Sequence, residues 1–239
     1  MRILMNDIDF FYINLDYRTD RNEHAIRELS RFGIEAARIS GCQEVPPNGI
    51  FFGDEWSESN KKCFFAHYDL ISRYDGGKIL GIFEDDILLC DDFLERFRYI
   101  EEMFDQDWDI FFLSAFYHLN SDPSRWHKSG DYQKTHIKYI HRVYGSFCTH
   151  SYLVNPRSAG KIARLMREHA SNAYAVDNLL VKIQPLLNCY AFTPGMANQM
   201  ACMSDIIMGP RDHSVFEQIC GRHYYQQRLS DFDYDAYFS

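Results

Sequence analysis

Short apolar runs rich in β-branched and aromatic residues alternate with amphipathic stretches through the first half of the chain. That alternation restricts the fold more than any other feature. Ile8 to Leu15 reads as a buried strand. A helical pattern follows: Asp20 stands as a cap with Glu23 three residues on, Ile26 and Leu29 share a face, and Gly33 suits the end. EAARIS is the next strand. Beyond a turn-rich loop with Pro46, Pro47 and Gly49, the stretch Glu58 to Tyr74 sets Phe64, His67, Ile71 and Tyr74 at helical spacing and stops at Gly76 and Gly77. KILGIFE, a helix FLERFRYIEEMF capped by Asp91 or Asp92, and DIFFLSA continue the alternation. The expected fold is α/β, with one mostly parallel central sheet flanked by helices and ligands bound at the carboxyl ends of the strands.

The second half is less regular. Tyr117 to Lys134 is polar, contains Pro123 and Gly130, and has the composition of a lid; Trp126 and His127 make it the expected acceptor surface. HIKYIHRVYG and FCTHSYLVN are expected to form an antiparallel pair, and Asn155 followed by Pro156 opens a helix through Ile162, Leu165 and Met166. With 239 residues and no linker, repeat or low-complexity tract, the chain reads as one domain over 1–215 with an aromatic tail, 216–239, packed on it. The rings of Tyr224, Tyr225, Phe232, Tyr234, Tyr237 and Phe238 in that tail suit packing onto the body, stacking on a sugar, or a homo-oligomer contact.

Charge excludes several functions. Twenty-five basic against 34 acidic residues, a net charge of −9, argues against a nucleic-acid partner, because phosphate neutralisation requires clustered Lys and Arg. The first apolar run is interrupted by Asn6, Asp7 and Asp9, so neither a secretory signal nor a transmembrane segment is expected, which leaves peripheral membrane contact open. Seven cysteines without a CxxC pair read as reduced thiols in a cytoplasmic chain, not as a disulfide or zinc framework.

The chemistry is concentrated in Gly81 to Asp92, GIFEDDILLCDD, where a buried strand ends in Glu84, Asp85 and Asp86. Adjacent carboxylates cost free energy unless something positive neutralises them, and they present hard oxygens suited to Mg²⁺ or Mn²⁺ bridging a nucleotide's phosphates. The plainer alternative is a solvated acidic turn. NLDYRTDR follows the first strand and puts Asn14, Asp16, Arg18, Asp20 and Arg21 where such sheets bind nucleotides, with arginines fit to hold phosphate. The absence of GxGxxG and GxxxxGK disfavours a Rossmann dehydrogenase and a P-loop ATPase. Asp177 opens an apolar helix and is explained equally by N-capping, while Asp205, isolated in CMSDIIM, calls for a partner. His67 lies on an apolar stripe, which favours a core histidine over a site residue or a dyad with Cys63. His213 suits a late metal ligand or a surface loop.

Taken in order, FYINLDYRTDRNEHAIREL, ARISG, CFFAH, GIFEDDILL, GSFCTHSYLVNPRSAGKI, VDNLL, TPG and SDI resemble glycosyltransferase family 25, the lipooligosaccharide galactosyltransferases and collagen hydroxylysine galactosyltransferases. The resemblance implies a GT-A-like (Rossmann-like) fold and inverting transfer of a hexose, galactose favoured and glucose possible, from a UDP-sugar to a glycan or hydroxylysine-type acceptor. It implies Asn14, Asp16, Arg18, Arg21, Glu84 and Asp85 as the nucleotide site. Asp86, with Asp85 or Asp205, is implied as the Mn²⁺ or Mg²⁺ ligand set, and Asp177 as the catalytic base at the acceptor. Where the family commonly carries GCxxSH this chain reads KCFFAH. That departure keeps a second reading open, a catalytically degenerate sugar-nucleotide-binding protein. A metal-dependent phosphodiesterase or nucleotidyltransferase would require more His and Asp ligands at tight spacing.

Overall fold

The computed structural model describes residues 5–46, 49–104, 106–114, 116–117, 132–147, 149–200, 203–204, 209–210 and 228–233. Strand β1 (Ile8–Asn14), helix α1 (Thr19–Ser30) and strand β2 (Ala36–Ser40) form the opening βαβ unit. Helix α2 (Glu58–Arg73), strand β3 (Ile79–Glu84), the short strand β4 (Ile87–Leu89), helix α3 (Phe93–Ile100) and strand β5 (Ile110–Phe112) complete the alternation. Then come β6 (Phe116–Tyr117), β7 (Tyr132–Lys134), β8 (Ile140–Val143), β9 (Ser146–Phe147) and β10 (Ser151–Val154). Helices α4 (Ala159–His169) and α5 (Val176–Ile183) precede β11 (Cys189–Phe192), β12 (Ala197–Gln199), β13 (Met203–Ser204) and β14 (Gly209–Pro210).

The main sheet runs β2-β1-β3-β10-β5-β11-β8-β7. Six of these strands point one way, and β10 and β8 oppose them. Alternate side chains enter two cores, as the two-residue period of a strand dictates. Ile8, Phe10, Tyr12 and Phe83 meet α1 and α3 on one face; Leu80, Ile82, Tyr152 and Val154 meet α2, α4 and α5 on the other. The fold is therefore mixed α/β, a large, mostly parallel sheet between helices.

The expected pairing of HIKYIHRVYG with FCTHSYLVN is not what forms. β10 lies between β3 and β5, while β8 pairs with β11 and β7, so β5 and β11 separate the two. All four β10 residues are buried and require strands on both sides, whereas β8 leads to the exposed edge strand β7. The α1 cap also differs. Arg18 is the N-cap residue without a side-chain cap, and Asp20 sits inside the first turn, where its carboxylate takes both Nε and Nη2 of Arg18 at 2.9 and 2.8 Å. That bonding lowers the Asp20 carboxyl to about 2. Asn155 caps as expected, accepting from Arg157 N–H ahead of Pro156.

Strands β1 and β3 approach closely at Gly81, paired with Phe10 and Leu153. A Cβ there would strike the Phe10 ring and come within 3.1 Å of Ile8 Cγ2. Phe10 is itself stacked on Phe83. Gly81→Ala is therefore expected to destabilise the protein by about 1–3 kcal/mol through overpacking, read from the urea midpoint.

Of the tail, residues 228–233 are described. Leu229 and Phe232 are buried, and Leu229 N–H donates to Asp92 at 2.7 Å. The lid's Trp126 and His127 lie outside the described residues, as do Asp205, His213 and the tail's four tyrosines. No helix among the described residues is long and apolar enough to cross a membrane.

Candidate functional site

Parallel pairing sets Asn14 beside Ser40 and Ile13 beside Glu84, so the carboxyl ends of β2, β1 and β3 form one edge. The acidic turn Asp85-Asp86 projects from that edge. The turn and the strand β4 that follows it are held by a polar face of α1, where Arg21, His24 and Glu28 fall at i, i+3 and i+7. Arg21 reaches Asp85, His24 Nε2 donates to the Ile87 carbonyl at 2.7 Å, and Glu28 accepts from Leu89 N–H at 2.7 Å. Three neighbouring helical positions thereby fix the stretch from Asp85 to Leu89.

Asp85 is 6% exposed and has a donor on each oxygen: Asn14 Nδ2 at 2.8 Å on Oδ2 and Arg21 Nη1 at 3.0 Å on Oδ1. A carboxylate only accepts, which fixes the Asn14 amide: Nδ2 faces Asp85 and the Arg18 carbonyl, and Oδ1 accepts from Arg38 Nε at 2.9 Å. Burial raises the Asp85 carboxyl above the usual range, with Arg21 and Asn14 acting against it. Arg21 Nη1 also lies 3.9 Å from Asp86 Oδ2. Arg21 supplies a positive charge of the kind the acidic run called for.

Asp16 is exposed and held by Arg38 Nη2, by Ser40 Oγ at 2.9 Å and by Gln43 Nε2 at 3.5 Å. The Arg38 bond, followed by that of Ser40, keeps its carboxyl below the ordinary range. Glu84 turns the other way. Thr149 Oγ1 donates to its Oε1 at 2.6 Å, His67 Nε2 stands 3.5 Å from the same oxygen, and Gln199 Nε2 lies 3.2 Å from Oε2. That Gln199 nitrogen is also 3.3 Å from Asp86 Oδ1, because β12 pairs with β4 and sets Gln199 opposite Ile87.

The structure thus gathers Asn14, Asp16, Arg21, Glu84, Asp85 and Asp86. Arg18 shares the turn through its carbonyl, and its guanidinium is engaged with Asp20. Asp177 stands on the first turn of α5, half-buried, where its Oδ1 accepts from Asn178 N–H. His67 is a buried core histidine that also faces Glu84. Arg38, Ser40, Thr149 and Gln199 went unnoticed in the sequence. An arginine within the strand pattern ARIS was a usable signal for the first; Thr149 and Gln199 carry no local signal.

Among the described residues no three His, Cys, Asp or Glu side chains converge as a metal cage. A divalent ion that rests chiefly on a substrate's phosphates requires only one or two protein carboxylates. Gln199 Nε2 donates to both Glu84 Oε2 and Asp86 Oδ1, so two hard carboxylate oxygens of the kind that suits such an ion flank a position the ion would take by displacing that amide.

Fold and site together define an α/β protein with a carboxylate-lined edge at the carboxyl ends of its parallel strands. No protein-family model matches this sequence, and comparison with curated protein sequences finds no match. Among solved structures, the inositol-1-phosphate CTP transferase from T. maritima aligns with a TM-score of 0.43 and 13% identity, over 89% of this chain and 76% of that one. The nucleoside-diphosphate-sugar pyrophosphorylase from Vibrio cholerae RC9 aligns with a TM-score of 0.34 and 12% identity, over 80% and 75%. Both likenesses are distant, and neither bears on the chemistry.

Proposed function

We propose that the protein is a metal-dependent inverting glycosyltransferase that moves a hexose from a UDP-sugar to a hydroxyl of a glycan or hydroxylysine-type acceptor. The observation that supports this reading is the bond between Asn14 Nδ2 and Asp85 Oδ2. It joins the last residue of β1 to the acidic run 71 positions later, at the carboxyl ends of the parallel strands, where sheets of this kind receive nucleotides. In this reading Asp16 and Arg38 frame the nucleoside, Arg21 and Arg18 offer positive charge to the diphosphate, and Asp85 is the brace that Asn14 and Arg21 hold in place. Asp86 would hold Mn²⁺ or Mg²⁺, with Asp205 as its companion in place of Asp85, whose two oxygens are taken by Asn14 and Arg21. Bound there, the ion stabilises the charge of the departing diphosphate.

Asp177 takes the proton of the acceptor hydroxyl as that oxygen bonds to the anomeric carbon, and the bond from that carbon to the phosphate oxygen breaks with its electron pair leaving on UDP. A single displacement converts an α-linked donor into a β-linked product. The test is UDP release from a panel of UDP-hexoses with Mn²⁺, Mg²⁺ or EDTA. Metal-dependent release from one donor supports the proposal and names the sugar. UDP binding without release from any donor, in the presence of simple saccharide acceptors, would turn the reading to a sugar-nucleotide-binding protein.

A further inference from the structure

His67 has no part in the mechanism above, yet it is 1% exposed and stands between two polar groups of opposite kind. Its Nδ1 lies 2.9 Å from the hydroxyl of Tyr152, a residue buried in β10, and its Nε2 lies 3.5 Å from Glu84 Oε1. The imidazole is nearly parallel to the Tyr152 ring, with centroids 5.9 Å apart. For a neutral ring beside an ionised Glu84, one tautomer satisfies both contacts: the carboxylate only accepts, so the proton sits on Nε2, and Nδ1 accepts from the Tyr152 hydroxyl. Burial, reinforced by the charge of Glu84, holds that hydroxyl protonated far above its ordinary range. Each polar atom in the row from Tyr152 to Glu84 then has one consistent role.

From this geometry we infer that His67 is a positioning residue: locked by Tyr152 in its Nε2–H form, it fixes with Thr149 the Oε1 edge of Glu84. The carboxylate then has one orientation at the edge proposed to receive the sugar nucleotide. Two independent elements, α2 through His67 and the segment before β10 through Thr149, converge on that one oxygen. A histidine serving only to fill the core would have no reason to bring Nε2 to the most accessible of the three carboxylates; the Glu84 side chain is 19% exposed, against 8% for Asp85 and 3% for Asp86. The inference rests on the reading of this edge as a sugar-nucleotide site for its consequence, but not for its geometry.

The experiment combines a spectrum of the protein alone with a binding cycle. In the imidazole ¹⁵N spectrum of the wild type at neutral pH, His67 is expected as the Nε2–H tautomer, and Tyr152→Phe is expected to disturb that tautomer. A His67 signal of the Nδ1–H form overturns the proposal. In calorimetric titration with a UDP-hexose, His67→Phe is expected to weaken binding by on the order of three- to tenfold, the scale of one lost partly buried ionic contact to Glu84. His67→Gln, which restores an N–H near Nε2, should recover most of it. In a Glu84→Gln background the His67→Phe effect should largely vanish, which a merely structural role would not produce. Additive losses, or a His67→Gln as weak as His67→Phe with an unchanged melting temperature, overturn the proposal. Should the wild type bind no UDP-hexose, the reading of the site fails and the spectrum alone decides on His67.

Discussion

Arg21→Met is expected to lower the unfolding free energy by about 3–5 kcal/mol at neutral pH in EDTA, the usual cost of stranding one member of a buried ion pair. Arg21 and Asp85 are 8% and 6% exposed and 3.0 Å apart, so water replaces little of what the guanidinium supplies. The pH dependence identifies the cause. Burial already raises the Asp85 carboxyl, and Arg21 is the largest influence opposing that rise. Without Arg21 the folded-state value climbs further, while the unfolded value stays near the ordinary one, about 3.9. Between those two values the folded protein binds more protons than the unfolded chain, so stability falls as pH rises through the window and returns on acidification. The gap between variant and wild type should therefore be widest above the folded-state value and narrow below it. Arg21→Met/Asp85→Asn should recover most of the loss at neutral pH. Urea unfolding of the three proteins across that range checks this. A deficit that ignores pH and survives the double change would mean that Arg21 acts through its packed stem.

The elements whose formation depends on local pattern were legible in the sequence. The β1-α1-β2 opening, α2, β3 and α3 follow from periodicity and flanking breakers, and Asn14, Arg21, Glu84, Asp85 and Asp86 could be singled out because strand ends are where such sheets carry chemistry. What was not legible is which strand lies beside which. β10 is as apolar as a parallel strand, and nothing in SYLV says that it runs backwards between β3 and β5. That misplacement is why Tyr152, Thr149 and His67 could not be connected with Glu84 in advance: the contact requires β10 beside β3 and α2 across that face. Gln199 is hidden for the same reason, since its place between Glu84 and Asp86 depends on β12 pairing with β4. Polar groups joined through tertiary pairing leave no periodic trace, whereas amphipathic faces do.

Asp86→Ala is expected to reduce metal-dependent UDP release by about 10²–10³-fold, the scale of removing one preorganised charge-stabilising group, without loss of folded stability. The second half of that expectation separates a site residue from a structural one. Asp86 is 2% exposed and adjoins two further carboxylates, with Arg21 Nη1 at 3.9 Å and already committed more closely to Asp85. Removing a buried negative charge from beside others relieves repulsion and offsets the loss of the Gln199 bond at 3.3 Å, so the melting temperature in EDTA should hold. The turn itself should persist, because the Asp86 backbone carbonyl, which accepts from Met200 N–H at 2.6 Å, is unaffected by the change. Stability retained while turnover collapses would mean that the wild type keeps an unfavourable charge for the sake of a ligand. The added metal should then stabilise the wild type and leave the variant's melting temperature where it was. Unchanged turnover would remove Asp86 from the site, and insoluble protein would show that the carboxylate holds the turn.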